Sequence, residues 1–178
     1  NGIKLHIPAG VFHPAYFFSS IFFSEFIVQL DLNGKTFLDI GCGSGILALS
    51  AYKKGARVTA LDISSQAVKN TKENFKLNFI NIEDEFKVMQ SDLFGSLQKQ
   101  KFDVIAINPP YFFKAPLSEM EYAWNCGENG EYFYELFGEL QKFCHKTSNV
   151  YMILGENCEI DRITQMAANS NIQLELVD

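Results

Sequence analysis

The segment best suited to chemistry is a four-residue turn, Asn108-Pro109-Pro110-Tyr111. It follows an apolar run, 102–107, that predicts a β-strand. The two prolines stiffen the turn and lack backbone N–H donors, so carbonyl oxygens are left to accept hydrogen bonds. The side-chain oxygen of Asn108 and the carbonyl of Pro109 can together hold both hydrogens of a planar NH2 group, and Tyr111 offers a flat face for stacking. The turn therefore predicts a site for a planar amide or amino nitrogen.

A glycine-rich turn after the predicted strand 36–40 forms a second candidate site. Its three glycines are Gly41, Gly43 and Gly45, and Asp39 lies near the end of the strand that precedes them. Glycine suits a tight turn that a ligand must approach closely. The third glycine comes one residue earlier than in the pattern that cradles a pyrophosphate, which favours a ligand without phosphates. Asp62 follows the next predicted strand, where its carboxylate can accept hydrogen bonds from both hydroxyls of a ribose.

Alternating strand and helix patterns surround these two turns. They predict an α/β fold, a Rossmann-like doubly wound and mostly parallel sheet with helices on both faces. Five strands are predicted at 36–40, 57–61, 86–90, 102–107 and 150–154, with a sixth at 172–177. Helices are predicted from Pro14 to about Leu30, and over 45–54, 64–74, 131–145 and 160–168. We expect residues 1–33 to pack as a segment and helix on a domain formed by 34–178.

The composition excludes several classes of protein. The chain has 178 residues, a formal net charge of −6 and 47% hydrophobic residues, as expected of one globular domain. The acidity provides no general electrostatic basis for binding nucleic acid, although it leaves room for a local basic patch. No apolar stretch is long enough to cross a membrane. The four cysteines form no Cys-x-x-Cys pair and the histidines do not cluster, so we expect no metal and a cytoplasmic protein.

The glycine turn, Asp62 and the tetrad resemble the class I S-adenosylmethionine-dependent methyltransferases over nearly all of the chain after residue 33. The resemblance implies S-adenosyl-L-methionine as the cofactor, with Asp39 and the glycines as the first motif and Asp62 as the second. It further implies that Asp92 accepts a hydrogen bond from the adenine amino group, that Ile63 packs on the ring, and that Leu93 and Asn108 lie beside the cofactor. The alternative for Asp92 is a solvated turn or helix-cap aspartate.

The tetrad is similar to that of the branch that methylates amino groups, which includes release-factor glutamine methyltransferases and adenine-N6 and guanine-N2 methyltransferases of nucleic acids. Segments 127–130 and 10–14 also resemble this branch. Two departures are evident. Acidic residues often found after the proline of the second segment are replaced by 15–17, Ala-Tyr-Phe, and the last two strands of the class I sheet are incomplete.

The sequence leaves open whether the methyl acceptor is a glutamine of a protein or a base of RNA or DNA. The acidic composition favours a protein. The aromatic run of Tyr111, Phe112 and Phe113 favours a flipped base, unless the two phenylalanines belong to the core or a lid. Two other interpretations remain. One is a nicotinamide dehydrogenase, in which the tetrad would have no role. The other is a non-catalytic partner subunit of another methyltransferase. The sequence does not predict an oligomeric state.

Overall fold

Five parallel strands form the centre of the protein, for which a computed structural model describes residues 2–8, 18–78 and 86–177. The strands are β1 (Thr36–Ile40), β2 (Arg57–Asp62), β3 (Phe86–Gln90), β4 (Phe102–Ile107) and β5 (Cys144–Met152). Their order across the sheet is β3-β2-β1-β4-β5, and every pairing is parallel. The chain thus changes direction across the sheet between β1 and β4, where open α/β sheets bind ligands beyond the carboxyl ends of their strands.

Helices cover both faces of this sheet. They are α1 (Phe18–Ile27), α2 (Ile46–Lys53), α3 (Ser65–Leu77), α4 (Glu131–Leu140) and α5 (Ile160–Asn169). Strand residues alternate between two cores: Phe37 packs with α1, α2 and α3, whereas Leu38 packs with α4 and α5. Successive side chains of a strand point to opposite faces, so a strand that is buried on both faces must be apolar throughout. The predicted doubly wound α/β fold is confirmed.

The predicted helix 131–145 is too long, and the predicted strand 150–154 begins too late. Helix α4 ends at Leu140, a 3-10 turn spans Gln141–Phe143, and β5 begins at Cys144. Phe102 pairs with Cys144 and Val104 with Asn149, so β5 contains a bulge between these pairs. Polar residues fill the bulge, where Ser148 Oγ donates a hydrogen bond to the carbonyl of Phe102. This irregular pairing hides the period-two pattern on which strand prediction depends.

The predicted strand at 172–177 is wrong. The described residues provide no partner strand for this segment, although Ile172 and Leu174 pack partly against the core. Leu176 is 93% exposed. An alternating apolar pattern predicts a half-buried strand only where a neighbouring strand can supply hydrogen bonds.

The predicted helix start at Pro14 and the segment 10–14 lie outside the described residues. Within the part of the chain that is described, α1 begins at Phe18 and buries Phe23 and Ile27 against the sheet. No helix in that part is long and apolar enough to cross a membrane. The described part of this helix packs on the core through Phe23 and Ile27.

We expect Gly45→Ala to destabilise the protein. Gly45 has φ +79°, and a Cβ there would lie 2.8 Å from Thr71 Cγ2. The left-handed backbone alone should lower the free energy of unfolding by about 1 to 2 kcal/mol. The control is Gly138→Ala in α4, where no atom lies within 4 Å of the added Cβ and the change should raise that free energy by about 0.5 to 1 kcal/mol. Urea unfolding followed by circular dichroism measures both, and equal effects would contradict the prediction.

Candidate active site

A cleft of about 810 Å³ opens beyond the carboxyl ends of β1, β2 and β4. The first residue after β1, the last of β2 and the first after β4 all line it: Gly41, Asp62 and Asn108. The loop between β4 and α4 forms the opposite wall. The two turns singled out in the sequence are therefore brought together in one site, at the place where the sheet order reverses.

The glycine turn has a left-handed backbone at each of its three glycines. Gly41 has φ 75°, Gly43 has φ 52° and Gly45 has φ 79°. The backbone N–H groups of Gly41 and Cys42 donate to the carbonyl of Leu61, which ties the turn to β2. Gly41 and Gly43 line the cleft, whereas Gly45 lies outside its wall, against Thr71 of α3. The first two glycines give a ligand access to the main chain, and the third lets two helices approach.

Asp39 lies behind the glycine turn and is not part of the cleft wall. Its side chain is fully buried, and its Oδ2 accepts a hydrogen bond from Ala48 N of α2 at 3.0 Å. Oδ1 has no hydrogen-bond partner among the described residues. Burial raises the pKa of Asp39 to about 7, and the charge of Asp62 adds to this, whereas the bond from Ala48 opposes it. Asp39 therefore anchors the first turn of α2 beneath the site.

Asp62 contributes its carboxylate directly to the cleft. Its Oδ2 accepts from Gly43 N at 2.8 Å, and its Oδ1 accepts from Ser64 N at 2.9 Å. Burial raises the pKa of Asp62, while these two bonds lower it. Each carboxylate oxygen has a second lone pair with which to accept from a ligand. The side chain is thus held in place by the backbone and keeps acceptor capacity on both oxygens.

Ile63, Asp92 and Leu93, which the resemblance places near an adenine, also line the cleft. Leu93 has φ 41°, which is unusual for a residue with a side chain. Ser91 supports this conformation because its Oγ donates to the carbonyl of Leu93 at 2.8 Å and accepts from Ser96 N at 2.9 Å. Asp92 is exposed on the wall. The position of its carboxylate is compatible with a bond to adenine and with the solvated alternative.

The tetrad forms the end of the cleft nearest β4. Pro109 and Pro110 are buried, and Asn108 Nδ2 donates to Ser20 Oγ of α1 at 3.0 Å. Neither Asn108 Oδ1 nor the Pro109 carbonyl receives a hydrogen bond from any residue in the described ranges. Tyr111, whose pKa is raised by burial, is half-buried in the wall. Both oxygens therefore keep the capacity to accept a hydrogen bond from a ligand.

The segment 112–126, which we call the strap, follows the tetrad and contributes to the cleft wall. Tyr111 N and Phe112 N both donate to the carbonyl of Trp124, at 3.1 and 2.8 Å, and Cys126 N donates to the carbonyl of Phe112. Phe112 and Phe113 do not line the cleft. Phe113 stacks against Phe133 of α4, and the guanidinium of Arg162 lies 3.8 Å from the centre of the Phe113 ring. The two phenylalanines are therefore placed outside the cleft, and the aromatic side chains of its described lining are Tyr111, Tyr122, Trp124 and Tyr132.

Several lining residues were missed by the sequence analysis. They include Ser20, Ser64, Met120, Tyr122, Trp124, Asn125 and Tyr132. The single tryptophan, in a chain already rich in aromatic residues, was the one available signal for the strap. The sequence contains no such signal for Ser20, because a serine within an apolar helix belongs to no pattern that indicates a distant partner.

The cleft is acidic. Its lining includes six carboxylates, Asp62, Asp92, Glu119, Glu128, Glu131 and Glu135, and within the described ranges no lysine, arginine or histidine lines it. Hydrogen bonds from its own N–H and from Asn129 lower the pKa of Glu131, which keeps that side chain charged. No group of residues that could hold a metal ion is found in the described part of the chain. The site therefore favours a cationic or neutral ligand over a phosphate.

Known proteins with related sequences identify the family. A Methanocaldococcus jannaschii protein, provisionally named a protein N5-glutamine methyltransferase, is 38% identical over 155 residues, covering 80% of this chain and 73% of that protein. The chain belongs to the class I S-adenosylmethionine-dependent methyltransferases. The family model of ribosomal protein L11 methyltransferase (PrmA) matches residues 24–109. The Helicobacter hepaticus ribosomal protein L11 methyltransferase is 36% identical over 102 residues, and the match spans 57% of this chain but 32% of that protein.

A solved structure of the same class supports the assignment. The ribosomal protein L11 methylase of Lactobacillus delbrueckii subsp. bulgaricus superposes with a TM-score of 0.71 at 25% identity, over 98% of this chain and 77% of that one. The cofactor of this methyltransferase is S-adenosyl-L-methionine. The residues present fit that molecule: the wall holds Asp62 for a ribose and an open glycine turn, and no basic group in the described lining is available for a pyrophosphate.

Asp39 should make stability depend on pH. Its pKa is raised from 3.8 to about 7 in the folded state, so the folded protein binds the proton more tightly than the unfolded chain does. The free energy of unfolding therefore falls as pH rises through this interval, by at most about 1.4 kcal/mol per pH unit. Asp39→Asn should lose less stability than wild type between pH 5 and pH 8 in denaturant titrations without cofactor. Equal losses would show that Asp39 ionises normally in the folded protein.

Asp62 should control cofactor affinity. We expect Asp62→Ala to weaken S-adenosylmethionine binding at least about tenfold, because charge-assisted hydrogen bonds are worth roughly 1.5 to 3 kcal/mol each. The control is Asp161→Ala, an exposed carboxylate in α5 outside the cleft, which should bind the cofactor as wild type does. Isothermal titration calorimetry measures both, and unchanged affinity in Asp62→Ala would remove this residue from the site.

Proposed function

We propose that this methyltransferase transfers the methyl group of S-adenosylmethionine to a planar amide or amino nitrogen, and that a glutamine side chain of a protein is its acceptor. The observation that carries the proposal is the pair of oxygens at the end of β4. Asn108 Oδ1 and the Pro109 carbonyl receive no hydrogen bond within the described ranges, and both residues line the cleft that adjoins the glycine turn. Two adjacent acceptors match the two hydrogens of an NH2 group.

The chain's own residues position the nitrogen and stabilise its charge. The lone pair of an amide nitrogen is delocalised, so the nitrogen is a weak nucleophile. When Asn108 and Pro109 accept its two hydrogens, the lone pair is directed towards the methyl group and the positive charge that develops on nitrogen is stabilised. Tyr111 and Trp124 line the cleft and offer flat faces on which an amide plane can stack. The cofactor supplies an electrophilic methyl group on a sulfonium centre.

The mechanism needs no strong base in the cleft. A nitrogen becomes acidic once it is methylated, so its proton can leave after transfer to an oxygen acceptor or to water. The described lining contains no histidine or lysine that could act as a base, and its carboxylates remain available as weak acceptors. This supports a substrate whose nitrogen carries its proton until the methyl group has arrived.

Charge supports a protein acceptor. Six carboxylates line the cleft, and its described lining contains no basic group. The negative charge of these carboxylates would repel a phosphate backbone at short range. The M. jannaschii relative is provisionally named for glutamine methylation, and the other relatives are named for a ribosomal protein. The second candidate is the exocyclic amino group of adenine or guanine, which the aromatic faces of Tyr111 and Trp124 would also suit.

Asn108→Ala should abolish most transfer without weakening cofactor binding. Loss of one preorganised hydrogen-bond partner in a transition state typically reduces the rate about a hundredfold to a thousandfold. The matched control is Asn169→Ala, an exposed asparagine of α5 outside the cleft wall, which should leave the rate unchanged. Labelled methyl transfer into separated protein, RNA and DNA fractions of an extract identifies the acceptor class, and single-turnover assays on that acceptor then compare the variants.

Incorporation into protein by wild type, with loss in Asn108→Ala alone, is the expected result. Incorporation into nucleic acid that depends on Asn108 would favour the second candidate. Comparable single-turnover rates in wild type and Asn108→Ala would mean that Asn108 only shapes the turn, and the proposed mechanism would be abandoned.

A further inference from the structure

Ser20 connects the N-terminal helix to the tetrad. Its Oγ accepts the hydrogen bond from Asn108 Nδ2 at 3.0 Å, across 88 positions of sequence. Ser20 is 6% exposed and lines the cleft. It belongs to α1 and precedes the sheet in sequence, whereas the other described lining residues lie between Ile40 and Glu135. No motif in the sequence connects this serine with the tetrad.

The orientation of the Asn108 amide decides what the site can bind. An asparagine amide can turn over with little change of shape, which exchanges an acceptor oxygen for a donor NH2 group. With oxygen towards the substrate, Asn108 accepts a hydrogen from the planar nitrogen. With the NH2 group towards the substrate, two donors would face each other, and neither would be satisfied. The partner of Nδ2 therefore determines whether the tetrad is functional.

We propose that Ser20 is a positioning residue that holds Asn108 Nδ2, so that Oδ1 is presented to the nitrogen being methylated. This inference rests on the proposed function and identifies the residue on which its acceptor pair depends. A serine hydroxyl that accepts from Asn108 Nδ2 satisfies the NH2 end of the amide and leaves Oδ1 free to accept from a ligand. Such a hydroxyl favours the observed orientation of Asn108 over the reversed one.

Helix α1 is packed firmly enough for this role. Phe23 and Ile27 are buried in the core beneath β1, and Phe26 makes an edge contact with Tyr151 of β5 at 4.9 Å between ring centres. These contacts lie one and two turns beyond Ser20 on the same helix. A positioning group must itself be held by packing if it is to fix a reactive side chain. The core thus fixes α1, α1 places Ser20, and Ser20 orients Asn108.

The test combines single and double variants. Ser20→Ala should lower the single-turnover rate at saturating substrate about tenfold or more, which corresponds to the loss of one orienting hydrogen bond. Cofactor affinity should not change, because Ser20 acts on the acceptor side. Ser20→Thr keeps the hydroxyl and should retain most of the rate. Ser19→Ala, a neighbouring serine outside the cleft wall, should behave as wild type.

The double variant gives the decisive comparison. If Ser20 acts through Asn108, then Ser20→Ala should have no further effect on transfer in an Asn108→Ala background, whereas independent effects would multiply. Nuclear magnetic resonance gives a readout without turnover: the side-chain NH2 signals of Asn108, assigned by their loss in Asn108→Ala, should shift in Ser20→Ala and persist in Ser20→Thr.

The outcomes separate this inference from the proposed function. A normal rate in Ser20→Ala, or multiplicative losses in the double variant, would overturn the role of Ser20 while Asn108 keeps its own. A normal rate in Asn108→Ala would overturn the proposed function itself. If Ser20→Ala does not fold, Ser20→Thr and Ser20→Cys decide: the proposal requires more activity and an unshifted Asn108 signal in the threonine variant.

Discussion

The parallel pairing of β1 with β4 is the contact on which the site depends. Ile40 lies opposite Ile107, so the next residue of each strand, Gly41 and Asn108, leaves the sheet side by side. A Cβ on Gly41 would lie 3.9 Å from the Asn108 carbonyl oxygen. Because both strands are buried on both faces and run in the same direction, this register follows from the packing of the core. A cofactor at the glycine turn is thereby brought next to an acceptor at the tetrad.

The charge of the cleft is the second constraint on function. Asp39 and Asp62 both have raised pKa values because burial disfavours their charged forms. A positively charged sulfonium cofactor compensates such a site, whereas a pyrophosphate would add to the unfavourable charge. The glutamates of the β4–α4 loop and of α4 add further negative charge to the cleft lining. The same charges therefore suit the cofactor and disfavour a phosphate-bearing acceptor.

Local patterns predicted the parts of the fold that local forces determine. The strand at Thr36–Ile40 is predicted to the residue, because its β-forming residues lie between turn-forming residues on both sides. The β5 bulge was missed, because the pairing of Phe102 with Cys144 depends on a strand far away in sequence. The run 172–177 was mistaken for a strand because its alternation is visible in the sequence while the lack of a partner is not. For the same reason the glycine turn and Asn108 could be predicted as candidates, but the contact with Ser20 could not.

The position of the transferred methyl group tests the central claim most directly. Wild-type protein is supplied with S-adenosylmethionine carrying a 13C-labelled methyl group and with its acceptor, and the product is examined by nuclear magnetic resonance and mass spectrometry. The paired acceptors of Asn108 and Pro109 predict one label on a planar amide or exocyclic amino nitrogen, with glutamine of a protein as the proposed site. A label on the aliphatic amine of a lysine, or on carbon, oxygen or sulfur, would contradict it, because the paired oxygens of Asn108 and Pro109 would then have no NH2 group to hold.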